Sequence, residues 1–320
     1  MTTLTPQSGQ LSLIELANRL WNGKVMPVAE VLNEVNQFLA DAVFLEANAI
    51  GGHTLNRRTS LPTGGFRKIN DGIAAESSET RQITETIGML EAFSQIDEAL
   101  VELAGDKRAY RALEDMAFIE GLGQTLADTL IYGDTAGTPE QFKGLAPRTN
   151  ALANANTFGA SGTGEDTTSL WVIKWGPRGA YFIYPKGSQA GLSAQDQGLN
   201  RVAGTTGTFM AWVTHFKMKV GLAVADDRAI QRIANMETTG TANIFSEDLL
   251  IAAINRMSGI NGNPAILCNA TIKTQLDIAA KDKSNVSYTI AEYGGREVTF
   301  FKGIPVRQVD SIVDTETAIT

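Results

Sequence analysis

The chain has 320 residues, 27 basic and 35 acidic, for a formal net charge of −8, with one cysteine (Cys268) and two histidines (His53 and His215). One cysteine excludes an internal disulfide framework, and two distant histidines argue against a histidine-rich metal site or a His-based relay. The acidic balance argues against a protein that coats nucleic acid through phosphate contacts. Hydrophobic content of 43% supports a core, in one large domain or two ordinary ones. No stretch approaches the roughly 18–20 apolar residues of a membrane span, and the first residues lack the features of a signal peptide. The expectation is a soluble protein made in a reducing cytoplasm.

After a polar start, Ser12 caps a predicted helix near Leu13, with Glu15 as capping-box partner and Leu13, Leu16 and Leu20 on one face. A second amphipathic stretch follows Pro27, with Val28, Val31, Leu32, Val35 and Leu39 at helical spacing. Such short helices are marginal alone and read as an arm that packs on something else. From Val43 to about Ile96 the chain is glycine-rich with β-favouring runs such as Gln82–Ile87. It reads as a long two-stranded excursion with its tip at Leu61–Gly65, which a neighbouring molecule should stabilise because an isolated hairpin is marginal in water.

Gly105-Asp106 caps the strongest predicted helix, Lys107 to Tyr132, which stops at Gly133. Its expected apolar face holds Leu113, Met116, Ile119, Leu122, Leu126 and Leu130; Gly121 and Gly123 inside it imply a close backbone approach or a bend. Residues 134–168 read as loop. Ser169–Trp175 and Ala180–Tyr184 flank Gly176–Gly179 as a β-hairpin, Thr208–Val224 is a β run, and Ala229–Met236 is a short helix. Ser246 caps a helix over Glu247–Met257, Ala265–Cys268 is a short buried strand, and Asn269 caps a helix over Ala270–Ala280. Strands at Val286–Ile290, Val298–Phe301 and Ile304–Val309 follow. The class is α+β, without the β-α alternation of a doubly wound sheet.

No catalytic constellation emerges. Gly159–Gly164 has the glycines of a phosphate loop but follows a loop, precedes a strand and lacks the Lys-Ser/Thr, so it reads as a flexible loop. Cys268 reads as a buried structural cysteine, and Asp226-Asp227 as capping residues rather than an acid–base or Mg²⁺ pair. Asp310 and Asp314 make no persuasive metal site, and His215 reads as a hydrogen-bonded strand residue. No cofactor or metal is expected.

Charge placement says more. Between Ala47 and Asn70 stand Arg57, Arg58, Arg67 and Lys68 and no acid, whereas residues 71–134 hold fourteen acids and four bases, a local charge of −10. The bland reading is ordinary solvated charge. The sharper one lays the basic excursion of one copy over the acidic helix region of another, a heterologous contact that builds rings or open assemblies.

The order of these parts resembles the tailed-phage major capsid protein of the Hong Kong 97-like fold, with its N-arm, E-loop, spine helix and A-domain. Local sequence agrees. Thr129–Asp134 leading into Phe142–Arg148 looks like the spine-helix exit of that family, Ala265–Asn269 like its strand-to-helix step, and Phe301–Val306 like its Gly-x-Pro-Val strand. Trp171–Pro177 with Ile183–Gly187 is similar to capsid proteins of epsilon-fifteen-type short-tailed phages.

The resemblance implies an N-terminal arm over 1–46, an extended E-loop with flanking strands over 47–97 and the spine helix of the P-domain over 98–140. The A-domain would fill most of 141–300, with a C-terminal strand returning to the P-domain over 301–320. It implies a structural, non-enzymatic subunit forming hexamers and pentamers of an icosahedral head around double-stranded DNA, in the virion, assembled in host cytoplasm. Partners would be a separate scaffolding protein, since no fused one precedes the arm, a portal protein and a decoration or cement protein; no membrane is involved. Lys68 lies where some members form Lys–Asn cross-links, but no partner motif accompanies it.

On this reading Arg57, Arg58, Arg67 and Lys68 dock the loop on a neighbour, Pro62, Gly64 and Gly65 shape its tip, and Glu114, Asp115, Glu120 and Asp128 form the acidic surface it meets. The rivals are an encapsulin-like nanocompartment shell and an α+β enzyme using Asp226-Asp227 or Cys268.

Overall fold

The computed structural model describes residues 20–21, 24–25, 36–204, 207–282, 288–293 and 296–320. In chain order, strands β1 (Leu20–Trp21) and β2 (Lys24–Val25) pair with each other, and β3 (Phe44–Glu46) follows. The excursion is β4 (Gly52–Ser60) and β5 (Glu79–Thr86), then come β6 (Gly88–Asp97), helix α1 (Glu98–Leu103) and helix α2 (Lys107–Tyr132). Six strands succeed them: β7 (Thr157–Gly159), β8 (Thr167–Trp175), β9 (Ala180–Tyr184), β10 (Ser193–Ala203), β11 (Thr208–Val224) and β12 (Ile230–Glu237). Helix α3 (Glu247–Arg256), β13 (Asn263–Cys268), α4 (Ala270–Asp282), β14 (Tyr288–Tyr293), β15 (Arg296–Phe301) and β16 (Ile304–Gln308) finish the order. The class is α+β, as expected.

Two compact units share the chain. The first takes in Met89–Asp128 and Gly191–Lys219, the second Asn36–Gly88, Thr129–Ala190 and Val220–Thr320. In the first, β10 pairs antiparallel with β11 from Ser193↔Lys217 to Ala203↔Thr208. The α2 face that packs there carries Arg111, Asp115, Phe118 and Leu122, an i, i+4, i+7, i+11 stripe. The Arg111 guanidinium stands 4.8 Å over the Trp212 ring and Phe118 stacks on Phe216 at 6.1 Å. A second cluster joins Ile96, Leu100, Val101, Ala104 and Tyr110. Met116 and Ile119, expected on the apolar face, are instead 62% and 46% exposed.

In the second unit β8 is the central strand, antiparallel to β12 on one edge and β13 on the other, and β13 runs parallel to β16. Leu170, Val172, Ile266 and Cys268 pack there with Leu250 and Ala253 of α3 and Ile272 and Leu276 of α4. Asp106 accepts from the Arg108 and Ala109 amides at 3.1 Å to start α2, and Asn269 accepts from Ile272 N at 2.9 Å to start α4. Ser246 occupies the N-cap of α3 without a side-chain capping bond.

Three expectations change. Residues 176–179 turn as expected, but β8 and β9 are not a hairpin: they meet only at Trp175↔Ala180, because both edges of β8 are taken and β9 pairs with β11 and β3. The expected helix at Ala229–Met236 is strand β12, seven of whose eight residues are buried between β7 and β8. Leu20, expected on a helix face, is in β1, and the end of the second expected arm helix is a bridge at Asn36 followed by a short 3-10 turn over Gln37–Ala40; most of the rest of both lies outside the described residues.

Candidate assembly surfaces

The excursion forms its own two-stranded sheet, in register from Gly52↔Thr86 to Ser60↔Glu79. Because side chains alternate along a strand, Arg57 and Arg58 cannot share a face. His53, Leu55 and Arg57 turn inward, where Arg57 donates to Asp227 Oδ2 at 2.5 Å and to the Val224 carbonyl. Arg57 stands opposite Arg81 on the ladder, and a like-charge pair there is unfavourable, so the Asp227 carboxylate offsets a local excess of positive charge. Arg58 points outward and is exposed.

The connection 61–78 carries Pro62, Gly64, Gly65, Arg67 and Lys68, all exposed. Gly64 and Gly65 are not in the left-handed region; that conformation falls on Asn70 at φ 67°, in a turn closed by Asp71 N to the Lys68 carbonyl at 3.2 Å. The same connection holds a group the sequence reading passed over. Leu61 is 70% exposed, Phe66 and Ile69 are essentially bare, and Ile73 is 60% exposed. Four large apolar side chains within thirteen residues, interleaved with cations, were a legible signal.

Of the acidic candidates, Asp128 is exposed, while Glu114 and Glu120 are half-buried. Asp115 belongs to the packed stripe: burial pushes its carboxyl up, and Thr214 Oγ1 lies 3.5 Å away. The structure therefore does not bring the four together as one outward surface. Beside them lies an open groove of about 440 Å³ lined by Leu90, Ala92, Ala117, Phe118, Gly121 and Leu122. Among the described residues, apart from the helix's own neighbouring backbone, no atom stands within 4 Å of where a Cβ on Gly121 or Gly123 would be, so neither glycine serves a close approach between these residues. Gly133 and Gly144 do: a Cβ on either would come within 2.4–2.8 Å of backbone atoms of Thr129, Leu130, Gly133 or Phe142.

The enzyme candidates have structural occupations. Asp226 caps the 227–229 turn through Arg228 N at 2.9 Å, and the Arg228 side chain holds its carboxyl below the usual range. Cys268 is fully buried, which pushes its thiol up to about 12. Asp314 accepts from Thr271 Oγ1 at 2.8 Å and from Asn269, and Asp310 from Gln308 Nε2 at 2.8 Å. His215 is 3.0 Å from Glu91 and stacked on Phe93. The Gly159–Gly164 segment is tied down, with Ala160 N and Gly162 N each donating to β12 at 2.9 Å.

A family model described as major capsid protein GP7 matches residues 21–320. The chain belongs to that family. It is also 32% identical to a chain of the bacteriophage Epsilon15 structure, covering 99% of each chain with a TM-score of 0.74. The bacteriophage JBD30 capsid (11% identity, 88% and 93% of the two chains, TM-score 0.47) and the SrpI encapsulin of Synechococcus elongatus PCC 7942 (11%, 74% and 99%, TM-score 0.49) are more distant. No curated protein sequence matches. The protein is a phage head shell subunit of the Hong Kong 97-like fold, located in the virion and working as an oligomer.

Proposed function

We propose that the chain is a non-enzymatic subunit that assembles as hexamers and pentamers into an icosahedral head around double-stranded DNA. Assembly takes place in host cytoplasm, with a separate scaffolding protein, a portal protein and a decoration or cement protein. The division into arm 1–46, E-loop 47–97, spine segment 98–140, A-domain 141–300 and returning strand 301–320 belongs to the same reading. The observation that carries it is the bare apolar connection of the excursion. A subunit that leaves Leu61, Phe66, Ile69 and Ile73 in water is incomplete alone.

The groove on α2 and β6 offers a matching surface on a second copy, large enough for an aromatic and an aliphatic side chain. Arg58, Arg67 and Lys68 would approach a segment of net charge −10, which steers the encounter and fixes register. Arg57 is better left out of that set, since it holds its own subunit together. The test reverses Arg58, Arg67 and Lys68 to Glu and counts particles by negative-stain microscopy. Folded subunits with at least a tenfold loss of shells are expected; particles of normal size at normal yield would refute the docking.

A further inference from the structure

The base of the excursion is held by polar links that bridge a void. Glu85, 5% exposed, is gripped by both Arg148 terminal nitrogens at 2.7 Å, and Arg148 also donates to the Lys143 and Leu222 carbonyls. Arg57 reaches Asp227. Between these pairs lies a cavity of about 330 Å³, lined by Ile83 and Glu85 on the excursion side and by Lys143, Arg148, Asn156 and Ile230 on the other. Ion pairs spanning a cavity resist small displacements but, once broken, leave room to move, unlike close packing.

His53 sits at the first turn of this base, directly across the ladder from Glu85. Its Nδ1 accepts from the Asn48 amide at 3.2 Å, and its Nε2 lies 3.1 Å from the Tyr181 hydroxyl, with the rings edge to face at 5.8 Å. A backbone N–H can only donate, so this geometry requires an unprotonated Nδ1. Among the described residues, the charge acting on it is Glu85 on β5, gripped in turn by Arg148; Lys143 and the Arg57–Asp227 pair line the adjoining cavity, and the Tyr181 phenol of β9 is a titratable neighbour.

We propose that His53 makes the base of the excursion a proton-operated hinge. A proton taken from solvent at Nδ1 expels the Asn48 N–H bond. It also sets an imidazolium against Glu85, where it competes with Arg148, so the latch loosens and β4–β5 is released to swing. Burial lowers the affinity of His53 for that proton more than the Glu85 charge raises it, so the neutral, latched form prevails at neutral pH. The sign is that of a depressed histidine: the stabilisation is complete above about pH 6.5 and is lost as pH falls below it.

The experiment uses the unassembled full-length subunit, so it is independent of whether the excursion docks on a neighbour. Amide hydrogen exchange, corrected for intrinsic chemistry, is followed over 52–86 and over 265–268 between pH 7.5 and 5.5. Protection in β4 and β5 should fall at least fivefold while β13 stays unchanged, and His53→Gln should flatten the response. Because the chain has only two histidines, His215→Gln leaves one imidazole for NMR titration, whose midpoint should lie below the ordinary 6.5 of a free imidazole. Unchanged protection in the wild type, an equally steep loss in His53→Gln, or an imidazole midpoint at or above that ordinary value would overturn the hinge.

Discussion

Removing Glu316 should be among the most damaging single changes in the second unit. Its carboxylate is 7% exposed and accepts from Arg232 at 3.0 Å, from Tyr132 Oη at 2.7 Å and from Ser169 Oγ at 2.5 Å. Arg232, 4% exposed, is otherwise fixed by the Thr149 carbonyl at 2.9 Å, Ser169 Oγ at 3.0 Å and the Trp171 ring at 5.1 Å. Glu316→Ala strands that guanidinium without its counter-charge, a change that costs about 3–5 kcal/mol in buried pairs, against a total stability of about 5–15 kcal/mol. Unfolding entropy of about 2.1 cal/mol/K per residue gives roughly 0.7 kcal/mol/K for this chain, so a loss of about 4 kcal/mol lowers Tm by roughly 6 °C. Calorimetry of the unassembled subunit measures it. The double change Arg232→Met, Glu316→Leu should recover most of the loss, because two apolar side chains carry no desolvation penalty. A Glu316→Ala midpoint within about 1 °C of wild type would show that the pair is not sealed from water and that the reasoning fails.

Two glycine changes should move in opposite directions. Gly144→Ala forces a methyl against the Thr129 and Leu130 carbonyls and should cost about 1–3 kcal/mol or more, read as a lowered urea midpoint. Gly121→Ala meets nothing within 4 Å among the described residues and should stabilise α2 in the free subunit by about 1 kcal/mol, yet reduce shell yield if the groove beside it receives a second copy. The Cys268 thiol, fully buried and pushed up to about 12, should stay unmodified by a thiol reagent at pH 8 for as long as the subunit is folded. Stoichiometric labelling of native protein within minutes would contradict its burial.

Sequence patterns disclosed elements whose signals are local. The Asp106 cap and the Gly133 stop bound α2 where expected, and Asn269 starts α4. Strand β12 escaped because Ile230 and Ile233 stand three apart, a helical spacing, while burial on both faces erased the alternation that marks a half-exposed strand. The division of Arg57 from Arg58 was legible, since adjacent residues on any strand face apart. Glu85–Arg148 and Arg232–Glu316 were not: partners 63 and 84 residues apart leave no periodic trace. The charge sums located the excursion and the acidic segment, but averaging over sixty residues could not tell Asp115, folded against Arg111 and Thr214, from Asp128 on the exposed side of the helix.

The bare connection at residues 61–78 also has a kinetic side. Productive encounter and indiscriminate sticking between free subunits are both bimolecular, so dilution slows one as much as the other. What would separate them on the proposed docking is orientation: a chain of net charge −8 repels its copies in most approaches, and a cationic tip meeting an acidic segment would be the approach that is drawn in. The interval between a subunit's release and its first neighbour is therefore its most hazardous period. Losses in that interval depend on how quickly copies are supplied and captured, and stabilising the fold of the individual subunit would do little to reduce them.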